Sequence, residues 1–347
     1  MRRSRHSEPH QSLLIASTLV GLEPIASEEI AARLHASAEV IGPGVLSFKS
    51  AASRRRLAGV RCVLSMDLVV AEIAGDYLRA RALAALGHRL KRVRFDSALE
   101  RLCVSPAAPA GFRVLATVPE RSHVHFFDVQ RVAADAISEA LGWTPAISAA
   151  GAPEPSEDEV VVTLRASHES VLVGLRVPSV REAKTRPSPS REQRVLAAAM
   201  LRLARLSPGQ LCAEVCYTAG VPLPPPSVRG GSLRVIAGGS HAKAVAPRAR
   251  HGWAVVWRPH ALALASDRLD RLFCFVSRGR LRADRVAYEF ARVLKPNGLA
   301  IVAAPRELGL CRALEAHPTL QTVRFVRVRM ARRRMHLMVA RKCAGPG

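Results

Sequence analysis

The residues able to do chemistry or hold a ligand fall in a few short clusters. One is Leu211-Cys-Ala-Glu-Val-Cys-Tyr-Thr-Ala-Gly220, an apolar run that turns polar, preceded by a helix-like segment and a Ser207-Pro208-Gly209 turn. That order puts it where a cofactor loop belongs, because such loops leave a strand and use glycine so that the backbone can approach the ligand. Gly220 is its one glycine. Another cluster is Phe275, Val276, Ser277 and Arg278, at the end of an apolar run. A third is the polar loop of Arg121, Ser122, His123 and His125, whose guanidinium, hydroxyl and imidazoles can donate to phosphates without reading sequence. The His123-x-His125 pair has metal-like spacing, but no Cys or well-placed acid completes a site, so no metal is expected. An ordinary exposed hairpin would look the same. Basic residues at Lys184, Arg186, Arg278, Arg280, Arg332, Arg333 and Arg334 are the remaining candidates for phosphate contact.

Periodicity gives the elements that must position these groups. In the first half, strands are expected over 13–20, 45–48, 63–74, 112–118, 159–166 and 170–177. Helices are expected over 51–60, 80–90 and 127–141. A further helix opens at Pro24 or Ser27, with Glu28 and Glu29 in its first turn. The segment 181–190 has no large apolar anchor and reads as a linker. After it come a helix at 195–206 and strands over 232–237, 253–257 and 271–276. A helix at 283–294, a strand at 299–304 and a helix at 307–317 follow. The chain closes with a hairpin, 322–330 and 335–340, turning at 331–334. Strands alternating with helices imply a mostly parallel sheet, and the hairpin adds an antiparallel edge.

Charge is distributed unevenly. Residues 1–190 hold 24 Lys+Arg against 20 Asp+Glu, whereas residues 191–347 hold 28 against 8. Of the 52 basic residues 46 are Arg. Coding bias accounts for Arg over Lys but not for the loss of acids from one half. A polyanionic partner accounts for it, since each Arg near a phosphate releases counterions. Seven scattered cysteines without a Cys-x-x-Cys pair suggest reduced thiols and an intracellular, cytoplasmic location. No apolar run approaches the ~20 residues of a membrane helix, so no membrane contact is expected. The basic N-terminus lacks a hydrophobic signal core.

The stretch Gly21-Leu-Glu-Pro-Ile-Ala-Ser-Glu-Glu-Ile30, the strand and loop Phe112 to Phe126, the helix 128–141 and Val173-Gly-Leu-Arg176 follow one another at separations that resemble the THUMP-type tRNA methyltransferases, which make 2-methylguanosine. Ala291-Arg-Val-Leu-Lys-Pro-Asn-Gly-Leu-Ala-Ile-Val-Ala-Ala304 resembles that family's fifth-strand region. The resemblance implies an α/β chain: a ferredoxin-like segment over 13–95, a THUMP RNA-binding module over 96–180, the linker 181–190, and a Rossmann-like methyltransferase domain over 191–343. It also implies a doubly wound sheet with a terminal antiparallel hairpin, and S-adenosylmethionine as cofactor.

The family pattern at the cofactor loop is Asp-Pro-Met-Cys-Gly-Thr-Gly-Thr. Here Cys216 and Thr218 match, Ala213 replaces the acid, Glu214 follows it, and Tyr217 and Ala219 replace both glycines. The ribose-binding acid at the end of the second strand is missing near Ile236. The family's Asn-Pro-Pro-Tyr or Asn-Leu-Pro-Phe becomes Phe275, Val276, Ser277 and Arg278, which lacks the amide that accepts from guanine. The expected function is therefore an RNA-binding protein on a methyltransferase scaffold that has lost catalysis and its cofactor. Its partner would be tRNA or rRNA, with a ribonucleoprotein or an acidic protein as a further partner. The alternatives are an active methyltransferase with divergent motifs and a protein-interaction scaffold.

Overall fold

The computed structural model describes residues 11–102, 111–120, 122–146, 159–178, 190–216, 234–239, 252–256, 260–276, 281–330 and 333–344. Its first part runs β1 (Ser12–Ser17), α1 (Glu23–Leu34), β2 (Ala38–Gly42), β3 (Val45–Ser50), α2 (Arg54–Leu57), β4 (Ser65–Ala74), α3 (Leu83–Leu90), α4 (Asp96–Arg101), β5 (Gly111–Thr117), α5 (Phe126–Leu141), β6 (Glu159–Ala166) and β7 (Ser170–Arg176). The second part runs α6 (Arg191–Ala204), β8 (Leu211–Cys216), β9 (Arg234–Gly239), β10 (Gly252–Val256), β11 (Leu269–Phe275), α7 (Ala283–Val293), β12 (Leu294–Pro305), α8 (Leu310–Glu315), β13 (Leu320–Met330) and β14 (Arg333–Lys342).

Each part builds one seven-stranded sheet. The first has the order β2-β3-β1-β4-β7-β6-β5, antiparallel except for the β5–β6 pair. The segments 13–95 and 96–180 share it. The second has the order β10-β9-β8-β11-β12-β14-β13: five parallel strands, then the antiparallel hairpin at one edge. This is the doubly wound sheet with a terminal hairpin that the sequence implies. Its order reverses between β8 and β11, where such sheets place ligands outside the strands' carboxyl ends.

One apolar core passes between the two parts. Leu14, Ile25 and Ile30 of the first belong to the same buried cluster as Leu196, Phe273, Phe275, Ile301, Val328 and Met335 of the second. A second cluster holds Ala213, Leu272, Cys274, Phe290, Val302 and Met338, on the other face of the second sheet. Polar contacts reinforce the seam. The Arg202 guanidinium donates to the Glu28 carbonyl, Arg324 pairs with the Glu28 carboxylate at 2.8 Å, and the Arg329 N–H donates to the Val20 carbonyl.

Local differences from the sequence expectations have local causes. Helix α1 begins at Glu23, with Pro24 inside its first turn, where proline's missing N–H costs nothing. Glu28 and Glu29 therefore lie in its interior. The helix expected over 51–60 is reduced to Arg54–Leu57. The helix expected over 307–317 is a short 3₁₀ turn and then α8, separated by Gly309 at φ 67°. Arg333 and Arg334, expected in the hairpin turn, already belong to β14. Strand β9 runs to Gly239 rather than ending at 237. Strand β2 and helix α4 have no counterpart among the sequence expectations, and Ala213, Glu214 and Cys216, expected in the cofactor loop, lie in strand β8 because their run pairs between β9 and β11.

Candidate functional site

The two clusters expected to carry cofactor and substrate chemistry are neighbours in the sheet. Cys216 pairs with Phe275, Glu214 with Phe273 and Ala213 with Leu272 across the β8–β11 ladder, at the point of reversal. Gly239, at the end of β9, pairs with Cys216 from the other side. Tyr217, Thr218, Ala219, Gly220, Ser277, Arg278 and Arg280 lie outside the described residues.

The side chains that can be placed offer little to S-adenosylmethionine. Ala213 is fully buried in the core on the α7 face. Strand β9 ends Ala-Gly-Gly, without a carboxylate to accept from ribose hydroxyls. The Phe275 side chain is 8% exposed and packs in the core that joins the two parts, so it presents no open ring face and no acceptor. Val276 is buried, and its N–H donates to the Ala303 carbonyl at 2.9 Å. These residues do not fit the cofactor.

Glu214 departs from this pattern. It is 6% exposed, two residues before the end of β8. If Glu214 rather than Ala213 takes the place of the family's acid, Gly220 falls where the family has its last glycine. Sequence reasoning anchored on Cys216 missed this spacing. The signal that could have found it is the buried carboxylate, since an apolar strand holds an acid only where something satisfies it.

The opposite edge of the sheet is scaffolding. Asp270 accepts from the Leu211 N–H at 2.8 Å and pairs with Lys295 at 3.0 Å, tying together the starts of β8, β11 and β12. Residues between Leu294 and Leu299 bulge from the ladder, and a Cβ on Gly298 would crowd the carbonyls of Lys295 and Leu269. The Lys-Pro-Asn-Gly sequence is thus a structural clasp.

In the first part, the loop 118–126 lines an open cleft of about 430 Å³. Ser122 Oγ accepts from the Val124 N–H at 3.1 Å, and Val124 anchors the loop in the core. His123 and His125 are exposed on either side of it. His125 caps α5, its Nδ1 accepting from the Phe127 N–H at 3.4 Å. Its ring lies against Phe126 and Phe127, with centroids 4.5 and 5.1 Å away. Ser122, His123 and His125 therefore share one surface, while Arg121, Lys184 and Arg186 lie outside the described residues. Among the described residues no group of three His, Cys, Asp or Glu gathers as a metal site would require.

In the terminal hairpin, Arg329 pairs directly with Arg334, and Arg327 with His336. All three arginines are exposed. Like charges opposite one another cost stability, so this arrangement favours an anionic partner. Burial, then the nearby Arg306 and Arg327 guanidinium groups, hold the His336 imidazole below its ordinary pKa. Arg332 lies outside the described residues. A basic cluster that sequence reasoning missed is Arg89, Arg92 and Arg94, which line a second open cleft beside β4. The buried thiols Cys62, Cys212, Cys274 and Cys311 are poor nucleophiles, since burial pushes Cys212 and Cys311 up to about 12 and raises Cys62 and Cys274 as well.

No family model matches the chain, and no curated protein matches it. Solved structures do. TrmN from Thermus thermophilus superposes with a TM-score of 0.72 at 21% identity, covering 96% of this chain and 100% of that one. SMU.472, assigned as a methyltransferase and complexed with SAH, gives 0.63 at 12% identity over 95% of this chain and 97% of its own. A Listeria monocytogenes protein assigned as an N6-adenine-specific DNA methylase gives 0.64 at 13% identity, covering 97% of each chain. Among the described residues no helix is long and apolar enough to cross a membrane. Over nearly its whole length, the chain has the fold of these methyltransferase structures.

Proposed function

We propose that this protein binds RNA, tRNA or rRNA, and that it has kept the methyltransferase fold without methyl transfer. The observation that carries the second half is the core-packed Phe275 at the end of β11, beside a β9 that ends in glycines. A guanine amine has no side-chain acceptor at Phe275, and a cofactor ribose has no carboxylate at Gly239. The RNA half is supported by the unbalanced charge of residues 191–347, the paired arginines of the hairpin and the loop of Ser122, His123 and His125. These groups suit phosphate contact, which positions a nucleic acid without reading its sequence.

Fluorescence anisotropy with labelled structured RNA at low and moderate salt tests the RNA half. Affinity should fall steeply as salt rises, because counterion release drives binding. Affinity that does not change with salt would contradict a phosphate platform.

The second reading is an active methyltransferase with divergent motifs, and Glu214 favours it. A buried acid on β8 with Gly220 six positions on preserves part of a cofactor loop. Under that reading Glu214→Ala abolishes methyl transfer to RNA. Under the main reading there is no transfer to abolish.

A further inference from the structure

Strand β4 loses one of its neighbours partway along its length. Its pairing with β1 covers 65–68, whereas its pairing with β7 runs on to Ala74. Ser12 and Leu13 of β1 still pair with Ser50 and Lys49 of β3, but no longer with β4. The Arg101 guanidinium donates to Ser12 Oγ and to the Ser50 carbonyl, which keeps the start of β1 on the β3 side. Among the described residues no strand pairs with the β1 side of 69–74, so that stretch behaves as a sheet edge inside the sheet.

The open cleft beside β4, of about 410 Å³, runs along this edge. It touches four successive residues, Ala71, Glu72, Ile73 and Ala74. Successive strand side chains point to opposite faces, so a cleft lined by all four follows the edge and not one face. The other wall is Arg89, Arg92, Val93 and Arg94, from the end of α3 and the turn after it. All three arginines are exposed. Their neighbours Arg79 and Lys91 pair with Asp76 and Glu139, but no carboxylate pairs with Arg89, Arg92 or Arg94 among the described residues.

The two walls together specify the ligand. A strand edge presents N–H and C=O groups in alternation, which an extended peptide matches and phosphates, being acceptors only, do not. Guanidinium groups select carboxylate or phosphate. Glu72, exposed in the same cleft, repels a polyphosphate. Residues 1–10, next in sequence to β1, carry Arg2, Arg3 and Arg5 against Glu8 and lack the complementary charge. A second copy of the cleft would set arginine against arginine. An acidic extended peptide satisfies both walls.

We propose that the open edge of β4 at 69–74 takes an acidic segment of a partner protein as an added strand, with Arg89, Arg92 and Arg94 pairing its carboxylates. Six partner residues would span roughly 20 Å of edge. This seat goes beyond the RNA-binding reading and is independent of it.

The test titrates the full chain with a fluorescent eight-residue peptide that alternates valine and glutamate, read by anisotropy. One control peptide carries an N-methyl group on every backbone amide, which removes the donors whatever the register and keeps the charge. The other replaces each glutamate by glutamine. The acidic peptide should bind and slow hydrogen exchange at the amides of 71–74. Both controls should bind about tenfold more weakly, and the double variant Arg92→Glu/Arg94→Glu should lose the acidic peptide to a similar degree. Circular dichroism should show the variant folded, and its affinity for the glutamine peptide should match the parent's. Equal binding of the N-methylated peptide would show that no strand is added. Equal binding of the glutamine peptide would show that the arginines do not select the ligand. Either result overturns the proposal. So does an acidic peptide that fails to bind at millimolar level while a short uridine oligomer binds and is lost in the double variant, which would assign the cleft to nucleic acid.

Discussion

The carbonyl oxygen of Arg327 occupies the space that a Cβ on Gly21 would need. Gly21 also has φ 97°, in the left-handed region that favours glycine. The terminal hairpin therefore closes onto the first turn of the chain because residue 21 has no side chain. The adjacent bond from the Arg329 N–H to the Val20 carbonyl fixes the same seam.

Replacing that glycine should open the seam. Gly21→Ala is expected to cost about 2–4 kcal/mol, combining a close backbone contact with a strained φ. Urea unfolding of the full chain measures the loss, and hydrogen exchange at the Arg329 amide should accelerate. A variant as stable as the parent would show that the hairpin is not docked in this way.

Two glutamates of the opening motif hold backbone amides. Glu23 accepts from the Gly21 N–H at 2.7 Å and the Gly44 N–H at 2.6 Å. Glu29 accepts from the Arg61 and Cys62 N–H groups at 3.0 and 2.7 Å and from the Arg33 guanidinium. Glu29→Ala leaves buried amides without an acceptor and should destabilise by about 2–4 kcal/mol. Arg33→Ala removes a mostly exposed partner and should cost about 0.5 kcal/mol or less. Thermal unfolding of the two variants checks the contrast; equal losses would mean that the ion pair matters rather than the amide bonds.

The legibility of the sequence followed burial. The parallel strands and the hairpin were readable because their apolar runs face cores on one or both sides, as β12 does from Ala300 to Ala304. Strand β2 was not, since Val40 and Ile41 are both exposed and no alternation marks a buried face. Helix 51–60 was overestimated because its arginine run Arg54-Arg55-Arg56 has good helix propensity but only Leu57 of Arg54–Leu57 is buried. At the site, the adjacency of Cys216 and Phe275 needed the strand order, which motif spacing does not contain. The packing of Phe275 into the core shared with the first part needed the docking of the two parts. The aromatic stack at His125–Phe127 was hidden because Phe126 and Phe127 look like the apolar face of a helix.

Acid should weaken the second part of the chain through two carboxylates, Asp270 on β11 and Glu289 on α7. Burial alone would raise both. At Asp270 the Leu211 N–H and Lys295 outweigh burial, and at Glu289 Arg292 and the Leu262 N–H do so, holding both below their ordinary values of 3.8 and 4.5. A carboxyl held lower in the folded chain contributes fully above its unfolded pKa and loses that contribution as pH falls below it. The unfolding free energy should therefore drop between about pH 5 and pH 3. Asp270→Asn should lower stability at neutral pH by about 1–2 kcal/mol and flatten the drop. An unchanged pH profile would show that the clasp contributes nothing.

The hairpin arginines should act on RNA and not on the fold. Replacing Arg329 and Arg334 by Ala relieves a like-charge pair, so stability should hold or rise slightly. Affinity for unrelated RNAs should fall by similar factors, and the salt slope should shrink by about one unit for each arginine that had been neutralising a phosphate. Loss of binding to one RNA alone would instead indicate sequence reading by these residues.

Equilibrium titration of the purified full chain with S-adenosylmethionine tests the central claim most directly. An intact site of this type would bind at about micromolar level, roughly −8 kcal/mol. With Ala213 in the core, glycines ending β9 and Phe275 packed away, no saturable heat should appear at millimolar ligand. Micromolar binding that Glu214→Ala removes would contradict the account and favour the active methyltransferase reading.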